Sequence, residues 1–69
     1  MSVVKHLILT GISEKSWDDA INTLIEDASK TIDNISGISI VSKSANITNN
    51  KITEYVVDLD LSFIVNVNM

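Results

Sequence analysis

The 69-residue sequence has a formal net charge of −4, and 45% of its residues are hydrophobic whereas 20% are charged. A chain of this length forms one domain, residues 1–69, and buries only about 60% of the surface that the unfolded chain exposes. Small domains usually gain further stability from disulfides, a structural metal or oligomerisation. The sequence contains no cysteine and one histidine, so it excludes disulfides and disfavours a structural zinc site. The apolar composition therefore predicts a homo-oligomer.

The charge pattern disfavours two classes of partner. The five basic residues are scattered, whereas binding to nucleic acid requires clustered Lys and Arg. No apolar run reaches the roughly 18 residues of a membrane span, and the first residues do not follow the pattern of a signal peptide. We therefore expect a soluble cytoplasmic protein without nucleic-acid or membrane partners.

The first predicted element is a strand over residues 3–10, which Gly11 ends. Alternation places Val3, Lys5, Leu7 and Leu9 on one face and Val4, His6, Ile8 and Thr10 on the other. Apolar residues occur on both faces, so each face needs a cover. We interpret His6, the only histidine, as a partly exposed strand residue rather than a ligand.

A single helix is predicted between a connection at residues 11–16 and an end near Asn34. Its apolar residues recur at helical spacing and form one stripe: Trp17, Ala20, Ile21, Leu24, Ile25, Ala28 and Ile32. Ser16 is the expected N-cap, with Ser13 as a second candidate, and Asn34 tolerates the left-handed conformation that often follows a last turn. The stripe predicts that Trp17 packs in the core rather than stacking on a ligand.

From Ile35 onward the apolar period becomes two, and Asn49-Asn50 is the expected turn of a long hairpin. If these two residues form the loop, the numbers of paired residues sum to 99. The register then pairs Ile40 with Leu59, Ile38 with Leu61, Val41 with Asp58 and Ser39 with Asp60. A slip of one residue would place serines opposite the leucines, so the apolar pattern favours this register.

Together these elements predict an α+β fold, β-α-β-β, with a three-stranded antiparallel sheet wrapped around one helix. The last strand spans about 12 residues, longer than the usual five or six. One helix covers only part of such a strand, and Val56 and Ile64 fall on the uncovered face. Surplus apolar surface of this kind is typical of proteins that assemble through strands or faces.

The chain resembles the dodecin family along nearly its whole length. The resemblance is carried by Leu9-Thr10-Gly11, by Ser13-x-x-Ser16-Trp17 at the helix start, by Thr-Ile-Asp-Asn at 31–34, and by residues 55–63 of the last strand. It implies a small β-α-β-β protein whose copies assemble into a hollow particle of twelve subunits. Most dodecins bind flavins in pairs at subunit contacts, for storage or protection rather than catalysis. The implied cofactor is therefore a flavin: FMN, riboflavin or FAD.

Two positions depart from the flavin-binding pattern of the family. Flavin-type dodecins place a stacking Trp soon after the helix and a hydrogen-bonding Gln early in the last strand, where this chain has Gly37 and Val56. A branch described as calcium-binding also lacks that Trp, and Lys51-Ile52-Thr53 is similar to it. The chain is closer to this branch, so calcium is the alternative ligand, and an assembly without any ligand is the third interpretation.

Asp58 and Asp60 are the candidate metal ligands. They share one face of the last strand, about 7 Å apart along it. Hard cations take six or more oxygen ligands, so two carboxylates of one subunit do not complete a site, although symmetry-related copies could. The alternative is that both aspartates simply face solvent or an aqueous cavity.

No catalytic constellation is readable from the sequence. There is one histidine and no cysteine, and no His–carboxylate or Ser–His arrangement follows from the spacing. Asp18 and Asp19 are adjacent in the helix, so their side chains diverge by about 100° and do not act on one substrate atom. We expect a protein that is not an enzyme.

Overall fold

The computed structural model describes residues 2–66. Its elements are β1 (Ser2–Ser13), α1 (Trp17–Ala28), β2 (Ile35–Thr48) and β3 (Lys51–Asn66). β3 lies in the centre of one antiparallel sheet of order β1-β3-β2. The predicted β-α-β-β order and the α+β class are confirmed. No helix within these residues is long and apolar enough to cross a membrane.

The helix begins where the sequence predicted, but the strand before it is longer than the predicted residues 3–10. β1 continues through Gly11 to Ser13, so only residues 14–16 connect the strand to the helix. Gly11 stays in the strand because α1 passes directly over it: a Cβ there would lie 2.9 Å from the Ala20 carbonyl oxygen. The predicted N-cap is confirmed, since the Asp19 amide donates to the Ser16 hydroxyl at 3.0 Å.

The helix ends at Ala28 rather than near Asn34. The Ser29 hydroxyl donates to the Glu26 carbonyl at 2.7 Å, and the amides of Lys30 and Thr31 bond three residues back. Ser and Thr side chains compete in this way with the helical ladder, so the chain tightens into a turn. Asn34 does adopt a left-handed conformation, with φ of 62°, but it does so directly before β2.

The hydrophobic core lies between α1 and the central strand. Its buried residues are Ala20, Leu24 and Ala28 of the helix and Val57, Leu59 and Leu61 of β3. Leu9, Trp17, Ile21, Ile32 and Ile35 pack around them half-buried. We call this side of the sheet the helix face and the opposite side, which carries Asp58 and Asp60, the open face. The helix packs mainly on β1 and β3, so Ile38 and Ile40 of β2 stay exposed.

Trp17 joins the helix start to the hairpin. Its indole Nε1 donates to the Ser44 carbonyl oxygen at 2.8 Å, and its ring meets that of Tyr55 edge-on with centroids 4.8 Å apart. Both contacts are packing contacts within the chain, as the helical stripe predicted.

The predicted pairing of the hairpin is correct from Gly37 to Ile40 and again next to the turn, and the segment between them is shifted by one residue. Ile40 pairs with Leu59, Ile38 with Leu61 and Ser39 with Asp60, as predicted. The prediction that Val41 faces Asp58 is wrong, because Ser42 takes that place. An extra residue in β3, Thr53, shifts the register by one, and an extra residue in β2, Val41, shifts it back. A third shift, at Ser36 of β2, pairs Ile35 with Phe63.

Candidate functional site: the polar rows of the open face

Three rows of paired residues cross the open face, and each row contains one residue from each of the three strands. The rows run Thr10–Asp58–Ser42, Ile8–Asp60–Ser39 and His6–Ser62–Gly37. β3 supplies the middle member of each row, because alternate residues of one strand point to the same side of a sheet. The result is a polar centre on a face that the helix does not cover.

Asp58 is the most constrained side chain of this centre. The Thr10 hydroxyl donates to Oδ1 and the Ser42 hydroxyl to Oδ2, both at 2.7 Å. These bonds favour the charged form, so the Ser42 and then the Thr10 hydroxyl lower the pKa of Asp58 below its ordinary value, against a smaller opposing effect of desolvation. Val41, the extra residue of β2, is what brings Ser42 into register with Asp58.

Asp60 has a different partner. Its Oδ1 lies 3.1 Å from Nδ1 of His6, with 61% of the histidine side chain and 31% of the aspartate side chain exposed. This His–carboxylate contact does not follow from the apolar pattern of the sequence, because it depends on the pairing of β1 with β3. The β1–β3 register could have located it, because His6 lies diagonal to Asp60 on that face.

Among residues 2–66, no serine hydroxyl bonds to the imidazole of this His–carboxylate pair. Ser62 lies opposite His6 across the strands, but its hydroxyl donates to the Gly37 carbonyl at 3.3 Å. The Ser36 hydroxyl donates to the Ser62 carbonyl at 3.2 Å. The serine hydroxyls thus bond toward β2 and β3 rather than toward the imidazole, which is not the geometry of an activated nucleophile.

The predicted metal ligands share the open face but do not form a complete site. No group of three or more His, Cys, Asp or Glu side chains within residues 2–66 could hold a metal ion. Both oxygens of Asp58 already accept a hydroxyl hydrogen bond. Each carboxylate oxygen retains a lone pair, so one chain offers part of an oxygen-rich site and a hard cation would need further ligands.

The two positions of the flavin pattern lie at opposite ends of the polar rows. Gly37 is level with Ser62, and Val56 pairs with Ser44. Ser62 and Val56 are six residues apart along β3, or about 20 Å. Neither position offers an aromatic ring or an amide, so the residues present do not fit the flavin contacts implied by the family.

Apolar side chains border the polar centre. Val4, Ile8 and Ile12 follow β1 on the open face, and Ile8 is 64% exposed. Val41 on β2 and Ile64 on β3 are exposed as well. A polar centre with an exposed apolar border is typical of a surface that meets a partner or a ligand.

Comparison with known proteins identifies relatives of this architecture. The family model Dodecin matches residues 3–66. A dodecin from Streptomyces coelicolor superposes with a TM-score of 0.91 at 18% identity, over 97% of this chain and 96% of that one, and so supports the fold alone. An arginine-to-alanine variant of the Thermus thermophilus dodecin gives a TM-score of 0.90 at 26% identity, over 96% and 98% of the two chains.

A third structure is described as the calcium-chelating immunodominant antigen of Mycobacterium tuberculosis, a calcium dodecin with a novel calcium-binding site. It superposes with a TM-score of 0.78 at 26% identity, over 88% of this chain and 87% of that one. A comparison with curated protein sequences finds no match.

Proposed function

Because the chain belongs to the dodecin family, we propose that it is a non-enzymatic protein that binds and stores a small ligand within a hollow homo-oligomer of twelve subunits. The observation that carries the proposal is the open face, where no element of the described residues covers a polar centre with an apolar border. We place the ligand on this face, at contacts between copies.

The small core supports the assembly. Among residues 2–66, six hydrophobic residues are buried, whereas exposed apolar side chains occur on all three strands. Burial contributes roughly 25 cal/mol per Å² of apolar surface, so covering these side chains would add substantially to a marginal stability. Light scattering on the purified protein tests the assembly. We expect a mass near twelve times 7.6 kDa, and a monomer would overturn the proposal.

Flavin is the ligand expected from the family, and Gly37 and Val56 predict weak binding. Stacking and hydrogen bonding to a flavin ring would each be lost, at about 1 kcal/mol or more apiece. Titration of riboflavin with the protein, followed by quenching of riboflavin fluorescence, measures the affinity. Quenching at micromolar concentrations supports flavin storage, and its absence rejects the flavin version.

A gain-of-function variant sharpens the flavin test. A Cβ at position 37 would lie 3.2 Å from the Ser62 hydroxyl, so Ser62→Ala is added to Gly37→Trp to leave more room for the larger indole. We expect Gly37→Trp with Ser62→Ala and Val56→Gln to quench riboflavin more strongly than the wild type. The matched control carries Ser62→Ala and Val56→Gln alone, and equal quenching by both variants would show that position 37 does not face a flavin.

Calcium is the second candidate ligand, and two observations favour it. Asp58 and Asp60 are adjacent on the open face, and a calcium dodecin is similar to this chain at 26% identity. Copies that meet on this face would combine their carboxylates and supply the oxygens that one chain lacks.

Calorimetric titration with calcium tests this candidate. We expect Asp60→Asn and Asp58→Asn each to abolish or strongly weaken binding, while Asp33→Asn, an exposed aspartate outside the open face, leaves the isotherm unchanged. An isotherm that is the same for all three variants and the wild type would reject the site. If neither calcium nor riboflavin binds an intact particle, the structural assembly without a ligand is the function that remains.

A further inference from the structure

The far end of the hairpin extends beyond the rest of the sheet. β1 pairs with β3 as far as Ser13 and Tyr55, whereas β2 and β3 continue to the pair of Thr48 and Lys51. We call residues 46–54 the arm. Within it Ile47 pairs with Ile52, and these side chains are 67% and 47% exposed. The arm is thus a two-stranded ribbon with an apolar pair that β1 does not flank.

An apolar groove lies between α1 and β1, at the free edge of the sheet. The groove has a volume of about 650 Å³ and is partly open to solvent. Its apolar lining comprises Leu7, Leu9, Leu24, Ala28 and Ile32, with Ile12 of the open face at one end. The helix adds a charged rim with Glu26, Asp27 and Lys30. Asp27 and Lys30 pair with each other at 3.5 Å, whereas Glu26 forms no ion pair within residues 2–66.

The arm cannot reach the groove of its own chain. Ile12 and Leu7, at the two ends of the groove along β1, pair with Val56 and Leu61, which are four and nine residues along β3 from Ile52. These segments of strand span about 13 and 30 Å, and the arm continues the same antiparallel ladder away from the groove. Any arm that fills this groove therefore comes from another copy.

We propose that the arm of one copy binds in the α1–β1 groove of the next copy in the assembly. The inference rests on the homo-oligomer of the proposed function and assigns the contact that builds it. Ile47 and Ile52 would pack on the apolar lining, while Lys51, which forms no ion pair among the described residues, would meet the Glu26 carboxylate of the rim. Apolar surface meets apolar surface, and opposite charges face each other at the border.

The arm and the groove are different surfaces, so the contact is heterologous. A heterologous contact repeats around a rotation axis, and it closes into a ring when the rotation allows. The proposed contact accordingly builds rings of three or more copies rather than isolated pairs, which is what a closed shell requires.

A charge-swap cycle tests the contact. We expect Lys51→Glu and Glu26→Lys each to raise the protein concentration of half-assembly by about tenfold, because an attraction becomes a repulsion. Together the two substitutions should restore assembly close to that of the wild type. Lys15→Glu changes the same charge on the β1–α1 connection, outside the arm, and should leave assembly unchanged. Circular dichroism at low concentration shows that each variant is folded.

Cross-linking gives a second measurement that does not depend on charge. The chain has no cysteine, so Ile52→Cys in one preparation and Leu7→Cys in another supply one thiol each. After the two preparations are mixed and reassembled, oxidation should give a disulfide-linked pair of unlike chains. Ile52→Cys mixed with Asn22→Cys, on the exposed side of α1, should give none.

The outcomes separate this inference from the proposed function. A monomeric wild type overturns both. A wild type that assembles, together with charge variants that assemble equally well and cysteines that do not cross-link, overturns the arm contact and leaves the proposed function intact. Loss of assembly in the single charge variants, rescue in the double variant and cross-linking of Ile52 to Leu7 support the arm contact.

Discussion

Asp58 shows how strand pairing sets the chemistry of a single side chain. Its carboxylate accepts hydroxyl hydrogen bonds from both neighbouring strands, and its pKa is lowered. An acid whose pKa is lower in the folded state than in the unfolded state stabilises the fold above its unfolded value, near 3.9. That contribution is lost as the pH falls through the folded pKa.

We expect Ser42→Ala to raise the pKa of Asp58 toward its ordinary value and to move acid unfolding to higher pH, because Ser42 is the largest cause of the lowered pKa. Carbon-13 NMR titration of the carboxyl group measures the first effect and urea unfolding at pH 7 and pH 3 the second. Ser44→Ala is the control on the same strand, since only the Ser44 carbonyl is engaged. Identical Asp58 titrations in Ser42→Ala and wild type would contradict the assignment.

The two glycines predict opposite tolerances to an added methyl group. At Gly11 a Cβ would lie 2.9 Å from the Ala20 carbonyl and 3.0 Å from Leu24, so the helix backbone would have to shift. We expect Gly11→Ala to lower the unfolding free energy by about 1–3 kcal/mol. At Gly37 the nearest atom is the Ser62 hydroxyl, which can rotate, so Gly37→Ala should cost about 0.5 kcal/mol or less. Urea denaturation compares the two variants, and an equal loss of unfolding free energy in both would contradict the predicted difference.

At the scale of elements, Trp17 joins α1 to the outer strand of the hairpin. Its bond to the Ser44 carbonyl links the first helical residue to β2, which the helix otherwise leaves largely uncovered. We expect Trp17→Phe to lower the unfolding free energy by about 0.5–1.5 kcal/mol through loss of this bond. The phenylalanine keeps an aromatic ring near Tyr55. Amide exchange should show faster opening of β2 around Ser44 than around Ser39, and uniform protection would contradict it.

The elements also show which features the sequence could predict. Strand and helix types follow from apolar periods of two and 3.6, and Ser16 marks the helix start correctly. The helix end was missed because Ile32 continues the apolar stripe, whereas the hydroxyls of Ser29 and Thr31 bond to the last turn and tighten it. The partner of Asp58 was missed because an extra residue in a strand leaves no mark on apolar alternation.

The candidate site was only partly predictable for a related reason. Asp58 and Asp60 share a face because they alternate on one strand, and this was readable from the sequence. Their hydroxyl and imidazole partners come from β1 and β2, up to 54 residues away along the chain. Without a derived β1–β3 register, neither the Thr10 bond nor the His6 contact could be placed.

At the scale of the whole molecule, the large share of exposed apolar surface predicts that the fold depends on association. The chain extends 57 Å in its longest direction but only 13 Å in its shortest. A body this thin has little interior, so association should stabilise the fold.

We expect the denaturation midpoint of the wild type to rise with protein concentration, as mass action requires for a coupled assembly. Scans over a hundredfold range of concentration measure this, and a constant midpoint would contradict it.

The unpaired residues Thr53 and Val41 are points where the hairpin can change length. Each lies between two pairs that are consecutive on the opposite strand, so its deletion removes a bulge and leaves every neighbouring pair in place. We therefore expect deletion of Val41 to keep the Ser42–Asp58 and Ile40–Leu59 pairs, whereas deletion of Lys43, which pairs with Val57, removes a paired position and destabilises the fold more. Urea denaturation of the two variants tests this, and a Val41 deletion that is the less stable of the two would contradict it. The hairpin can thus lose a residue at a bulge while every core contact keeps its partner.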